Sequence, residues 1–291
     1  MTIFGLFIFI GLGVFTKYFL GRYWLIDRFV QVFNKIIYYV ILPIVFVDTF
    51  AKRGLGLADL SILIITLAYI VISVVILFIV PLKKNGSLKK AVLITSIFQN
   101  HTFLGFPLLL ILYNDITAAA MYSLIMFVSH ISIAGILAGS KENILYSIAK
   151  IPVLYGFVFG ILIHYTCYRQ YLAIEFVFSP FSTILSYGAV FVLGYTLPLT
   201  LGHVKEYIDA LYITATWRLI ASPLIHYILM LVVPMPLLYY KEIMFLSFLP
   251  PAVTNTVIAR IYNWKPEVVA SITMILTLVT LMIIPFIMLI V

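Results

Sequence analysis

Apolar residues along this chain come in runs of about twenty, separated by short clusters of charge, glycine, proline and asparagine. A helix needs roughly 20 apolar residues to cross about 30 Å of hydrocarbon, so each run is a candidate transmembrane helix. The pattern predicts about ten spans, near 2–20, 29–51, 58–82, 90–113, 115–140, 147–168, 179–201, 208–233, 241–261 and 266–290. Little chain remains for a soluble domain, and the expected fold class is an all-α membrane protein. The first run, MTIFGLFIFIGLGVFTKYFL, lacks the basic leader and small-residue cleavage site of a secretory signal and reads as a span that is retained.

Composition supports this. With 64% hydrophobic and 10% charged residues, the chain has too much apolar surface for a water-soluble globule. The formal charge of +8 does not point to nucleic acid, because the basic residues sit at span ends rather than on one soluble face. The loops after odd-numbered spans hold Lys17, Arg22, Arg28, Lys35, Lys83, Lys84, Lys89, Lys90, Lys141, Lys150, Lys205, Arg260 and Lys265, whereas the opposite loops hold Lys52, Arg53, Arg169 and Lys241. The positive-inside rule makes the first set cytoplasmic and both termini extracytoplasmic, in a multi-pass protein of the cell membrane. The segment LKKNGSLKK is the clearest cytoplasmic loop. Cys167 is the single cysteine, so no internal disulfide forms, and no Cys/His set has metal-ligand spacing; neither a metal nor a cofactor is expected.

Two halves, 1–140 and 147–291, carry five spans each, and an odd number per half makes the second copy enter the membrane from the other side. FNKIIYYVILPIVFV in span two resembles FSTILSYGAVFVLGY in span seven. Spans four and nine both close on a Tyr-Asn pair, Tyr113-Asn114 and Tyr262-Asn263.

Spans four and nine are also where helices are expected to break. Proline inside a span removes a backbone hydrogen bond and clashes with the preceding turn, at a cost of ~3 kcal/mol unless the freed groups find partners. Span four carries Gln99, Asn100, His101 and Thr102 at its middle, then Gly105 and Pro107. Span nine carries Pro250-Pro251, then Thr254, Asn255 and Thr256. Each interruption lies about ten residues, or about 15 Å, from a span end, close to the bilayer midplane. Matched breaks at one depth, rich in amides and hydroxyls, form a midplane transport site in which freed backbone and half-helix N-termini bind an anion.

These motifs carry a family resemblance. NHTFLGFPLL, LPPAVTNTVIARIYNWKPEVVAS, FNKIIYYVILPIVF and WRLIASPL together resemble the auxin efflux carrier family, in order and over essentially the whole chain. The resemblance implies a fold like the sodium/proton antiporters and bile-acid symporters, with two inverted five-helix repeats and crossed helices four and nine. It implies a scaffold of spans one, two, six and seven, and a transport unit of spans three, four, five, eight, nine and ten moving against it as an elevator. It implies export of carboxylates such as indole acetate or dicarboxylic acids. Asn100, Gly105 and Pro107 match the span-four motif, and Pro250, Pro251 and Thr254 match span nine. His101 departs from the small or hydroxyl residue usual after that asparagine, and the long cytoplasmic loop of the plant exporters is missing.

Ionisable residues within the spans complete the expected site. A charge at mid-membrane costs about 2.5 to 3.5 kcal/mol on the insertion scale, so Arg218 in span eight is either a group that attracts a substrate carboxylate or a structural one. Asp48 has Lys52 and Arg53 within about a turn and reads as an ion pair near the outer surface. His101 adjoins the break and is able to carry a coupling proton; His130 and His226 read as packing or interhelical bonds. The expected substrate-binding set is Asn100, His101, Thr102, Gly105, Pro107, Arg218, Pro250, Pro251, Thr254 and Asn255. A sodium- or proton-coupled carrier of the same fold is the alternative, and a channel is a weaker one because the other spans lack a polar stripe. No HExxH and no paired intramembrane aspartates support an enzyme. The expected partners are the organic anion and membrane lipid, with a homodimer left open.

Overall fold

The computed structural model describes residues 3–81, 86–166, 174–197 and 207–290; Lys83, Lys84, Cys167, Arg169 and Lys205, named above, lie outside them. The described chain is helical. α1 (Ile3–Phe15) continues into a π turn, Thr16–Leu20, and α2 (Trp24–Ile36) joins α3 (Leu42–Arg53) through a π turn, Ile37–Ile41. α4 (Leu57–Ile79) precedes α5 (Gly86–Ile97), and a π turn, His101–Gly105, opens α6 (Phe106–Tyr113). α7 (Thr117–Ala138), α8 (Ile144–Ala149), α9 (Pro152–Tyr165) and α10 (Ile174–Thr196) follow. α11 (Ile208–Thr216) joins α12 (Ser222–Val232) through a π turn, Trp217–Ala221, before α13 (Leu237–Ser247), α14 (Thr254–Ile261) and α15 (Pro266–Ile290).

Among the described residues five helices are long and apolar enough to cross a membrane: Trp24–Arg53, Leu57–Ile79, Thr117–Ala138, Ile208–Val232 and Pro266–Leu289. Shorter apolar helices lie between them, including Phe4–Leu20, His101–Tyr113 and Pro152–Tyr165. The protein is a multi-pass membrane protein. The expected spans differ from the helices mainly at their starts. Span six was expected from 147, but Pro152 lacks the N–H needed to continue α8 and instead opens α9 at its first position. Span nine was expected from 241, and its helix opens at Leu237, directly after Pro236.

Three of the π turns share a cause. Pro43, Pro107 and Pro223 each stand two residues beyond a π turn, so the residue four positions before each proline, Tyr39, Phe103 or Leu219, falls inside the widened turn. A proline ring clashes with that carbonyl and cannot supply its hydrogen bond, and a π turn relieves both.

Two helix pairs pack closely because of glycine. α1 lies against α10, where a side chain on Gly13 would collide with the Phe191 carbonyl oxygen and one on Gly194 with that of Ile10. α9 lies against α3 through Gly156 and Gly160, spaced as in the small-xxx-small motif of membrane helices, facing Pro43 and Val47. The Tyr-Asn pairs also have a structural meaning: Asn114 and Asn263 both hold left-handed backbone, with φ of 51° and 55°, where α6 and α14 end. Asparagine tolerates that conformation better than most residues, so it stops both helices alike.

Candidate functional site

α5 and α13 each end partway along, and the two interruptions meet. Asn100 N–H donates to the Pro250 carbonyl at 2.8 Å and Ala252 N–H to the Phe98 carbonyl at 2.9 Å, flanking an antiparallel bridge between Gln99 and Pro251. In that arrangement residues 99 and 251 form the non-hydrogen-bonded pair, so Pro251 is accepted although it has no N–H. Backbone that lipid could not solvate is thereby satisfied across the crossing.

The side chains reinforce it. Asn255 Nδ2 donates to the same Phe98 carbonyl at 2.9 Å. Asn100 caps the turn that follows it, its Oδ1 accepting from Phe103 N–H at 3.2 Å, and this fixes which end of the amide points away. Nδ2 of Asn100 is buried and has no hydrogen-bond partner among the described residues. Two N–H bonds are thus held in the interior at the start of a half-helix. Gly105 sits against the side-chain methyl groups of Leu246 and Leu249 of the opposite interruption, which would have to shift for a larger residue.

Arg218 is fully buried behind the crossing. Its guanidinium meets five protein oxygens: the carbonyls of Leu249 (2.9 Å), Ser247 (2.8 Å) and Ser96 (3.3 Å), the Tyr69 hydroxyl (3.0 Å) and the Ser222 hydroxyl (3.2 Å). The three carbonyls belong to the C-terminal ends of α5 and α13, where the helix dipoles place partial negative charge. Arg218 therefore neutralises the two negative ends, while the N-termini of the Asn100-capped turn and of α14 keep their partial positive charge. These contacts give Arg218 a structural role, with carbonyls of the two interrupted helices as its partners.

Beside it runs a chain that sequence reasoning missed. Gln99 donates to the Tyr122 hydroxyl, and His226 Nδ1 lies 2.8 Å from the Ser222 carbonyl, so its other nitrogen accepts from Tyr122 at 3.1 Å. His226 is thus an interhelical link, and His130 stacks on Phe98 at 4.1 Å between ring centroids. His101 Nδ1 bonds Thr102 Oγ1 at 2.9 Å, and its ring packs edge-on against Phe127 of α7. Thr254 is half-buried, whereas the adjacent Asn255 is fully buried in the crossing. Asp48 pairs with Lys52 at 2.9 Å as expected, but Arg53 turns instead to Asp59 at 2.7 Å. Glu242, not singled out from the sequence, is fully buried and accepts from Ala119 N–H at the start of α7 at 2.9 Å.

Two cavities among the described residues lie toward opposite ends of the helix Trp24–Arg53. One, of about 900 Å³, is lined by Asp48, Lys52, Arg53, Leu110, Asp115 and Pro180, among others. The other, of about 440 Å³, runs from Lys17, Asp27 and Arg260 past Gln31 and Asn34 to Val253 and Thr256 in the first turns of α14. Asp27, Gln31 and Asn34 occupy one face of α2, and their spacing of four and three residues is a signal the sequence contains. No cluster of His, Cys, Asp and Glu able to hold a metal occurs among the described residues.

Comparison with known proteins gives one result at the family level. The profile of a family described as membrane transport protein matches residues 138–288, more than half of the chain. No curated protein matches it.

Proposed function

We propose, from the premise that this chain belongs to the membrane transport protein family, which includes the auxin efflux carriers, that it carries a small organic anion whose head group binds at the α5/α13 crossing. The family is one of membrane transporters rather than enzymes. The observation that carries the anion reading is the unpartnered Nδ2 of Asn100, held in the interior where two half-helices present their N-terminal ends. A neutral amide binds a carboxylate there without a permanent buried charge. The crossing contains no carboxylate of its own among Gln99–Gly105 and Leu249–Thr256, which disfavours a cation as cargo.

The architecture we propose is two inverted five-helix repeats, 1–140 and 147–291. The close pairs support it: exchanging the repeats turns the pairing of span two with span six (α3 with α9) into that of span seven with span one (α10 with α1). The matching left-handed asparagines after α6 and α14 support it too. Spans one, two, six and seven form the scaffold, and the remainder moves against it by alternating access. In the cell membrane, the face bearing Lys17 and Arg260 is cytoplasmic, both termini lie outside, and export is the working direction. Coupling to a proton or to sodium is the alternative form of the same mechanism.

The crossing is tested with Asn100→Ala. A thermal-shift screen of purified protein against small carboxylates identifies a ligand; the variant should then bind it with a loss of about 1 to 3 kcal/mol, roughly 5- to 150-fold, while remaining folded. Equal affinity in Asn100→Ala and Thr254→Ala would move the site elsewhere. Orientation is tested separately. In a Cys167→Ser background, a cysteine at Lys150 should be labelled by an impermeant reagent only after the membrane is opened, and one at Lys241 in intact cells. The reverse pattern would invert the topology.

A further inference from the structure

The two cavities differ in charge, and that difference suggests a role for Arg260. Among the described residues, three charged ones line the 440 Å³ cavity: Lys17, Asp27 and Arg260. Lys17 and Asp27 pair at 3.4 Å, and Asp27 also accepts from Tyr195 at 2.9 Å, so the aspartate is engaged. Arg260 has no ion pair among the described residues, which leaves one net positive charge, two cations against one anion. Among the described residues, four charged ones line the 900 Å³ cavity, Asp48, Lys52, Arg53 and Asp115, and they balance, two against two. There Lys52 is paired with Asp48, and Arg53 with Asp59, which adds a further negative charge nearby.

Arg260 is also placed to act on something approaching the crossing. Val253, Thr256, Val257 and Arg260 recur at three- and four-residue spacing, so one stripe of α14 forms the cavity wall. At 1.5 Å per residue, Arg260 lies about 10 Å from Val253, two residues beyond the bridge at Pro251. A basic residue in the last turn of a helix is ordinarily explained by the helix dipole. Here it also lines a cavity shared with the polar face of α2, with Gln31 and Asn34. A cleft with low-dielectric walls and one unbalanced charge concentrates ions of the opposite sign.

We propose that the 440 Å³ cavity is an anion-selective vestibule leading to the crossing, that Arg260 makes it so, and that the opposite, balanced cavity does not select for anions. The inference rests on the carrier reading above and supplies its asymmetry: an anion is gathered on the Arg260 side and released on a side that does not retain it.

The test needs no known substrate. In a Cys167→Ser background, purified in a non-ionic detergent, cysteines are placed at Thr256 in the vestibule and at Thr183 in the opposite cavity. Each is reacted with an anionic and a cationic methanethiosulfonate of similar size. The anion-to-cation rate ratio at Thr256→Cys, normalised to that of a free thiol, should exceed that at Thr183→Cys by about five- to tenfold, the effect on two opposite unit charges of one cation at about 7 Å in water. Arg260→Gln should remove the difference, Arg260→Lys should keep it, and 1 M salt should suppress it. A preference for the cationic reagent at Thr256→Cys, or an anionic preference that survives Arg260→Gln, would overturn the inference. Failure of the crossing reads out separately, as carboxylate binding indifferent to Asn100→Ala in a protein whose rate ratio is as expected.

Discussion

Arg218→Met should lower the melting temperature of the detergent-purified protein more than any other single change considered for this molecule, with much of it lost to aggregation on extraction. The guanidinium is fully buried and holds three main-chain carbonyls and two hydroxyls from four separate helical segments. Removing it takes a donor from each of those oxygens; the Ser247 carbonyl keeps the Ser222 hydroxyl at 3.0 Å, and each buried group left unsatisfied costs ~1–3 kcal/mol. A loss of at least ~3 kcal/mol is expected, the lower end for breaking a buried charged network, against total stabilities of about 5 to 15 kcal/mol. Arg218→Lys keeps the charge but cannot span the same set of oxygens, and should fall between. Thermal unfolding followed by size-exclusion recovery measures both. A stable Arg218→Met protein that binds a carboxylate poorly and its neutral amide normally would instead assign Arg218 to direct attraction of the ligand.

Gly156→Ala and Gly194→Ala should each destabilise the protein, while Gly135→Ala should not. In a helix interior alanine is favoured over glycine by about 1 kcal/mol, so intrinsic propensity alone would make all three changes stabilising. Packing reverses the sign at two of them. A methyl group at Gly156 would strike the main chain of Pro43, and one at Gly194 the main chain of Ile10, where the obstacle is backbone that cannot rotate aside. At Gly135 a methyl group would meet nothing within 4 Å. Overpacking costs typically ~1–3 kcal/mol and should outweigh the propensity gain at Gly156 and Gly194. Melting curves of the three variants decide this. Equal stabilisation of all three would mean that α1/α10 and α3/α9 are not held at backbone contact.

The parts of this molecule visible in its sequence are those set by local chemistry. Prolines and amides in spans four and nine announced the interruptions, because a proline's missing N–H acts within its own turn. Asn100 could be singled out because an amide beside a break in an apolar run has few uses. The partners of Arg218 could not, since Ser96, Ser247 and Leu249 lie tens of residues away and offer only carbonyl oxygens, which every residue has. Glu242 was overlooked because it stands near a span end, where an acid needs no special explanation; its burial follows from the helix start at Ala119 that it caps. The vestibule was partly legible. Asp27, Gln31 and Asn34 mark a polar face on α2, but the other wall comes from α14, and only the fold brings the two together.

The bridge at Gln99 and Pro251 has a consequence for how such a protein diversifies. Its two hydrogen bonds join N–H and C=O groups of Phe98, Asn100, Pro250 and Ala252, and three of the five oxygens gathered by Arg218 are carbonyls. Main-chain atoms thus form the bridge itself, and the side chains at the crossing other than Asn100, Gly105, Arg218 and Asn255, which reinforce it, are released from structural duty. Mutation can exchange those side chains one at a time, altering which cargo is preferred, without first dismantling the framework that presents them. An ancestral carrier built this way could give rise to descendants with quite different cargoes through few substitutions.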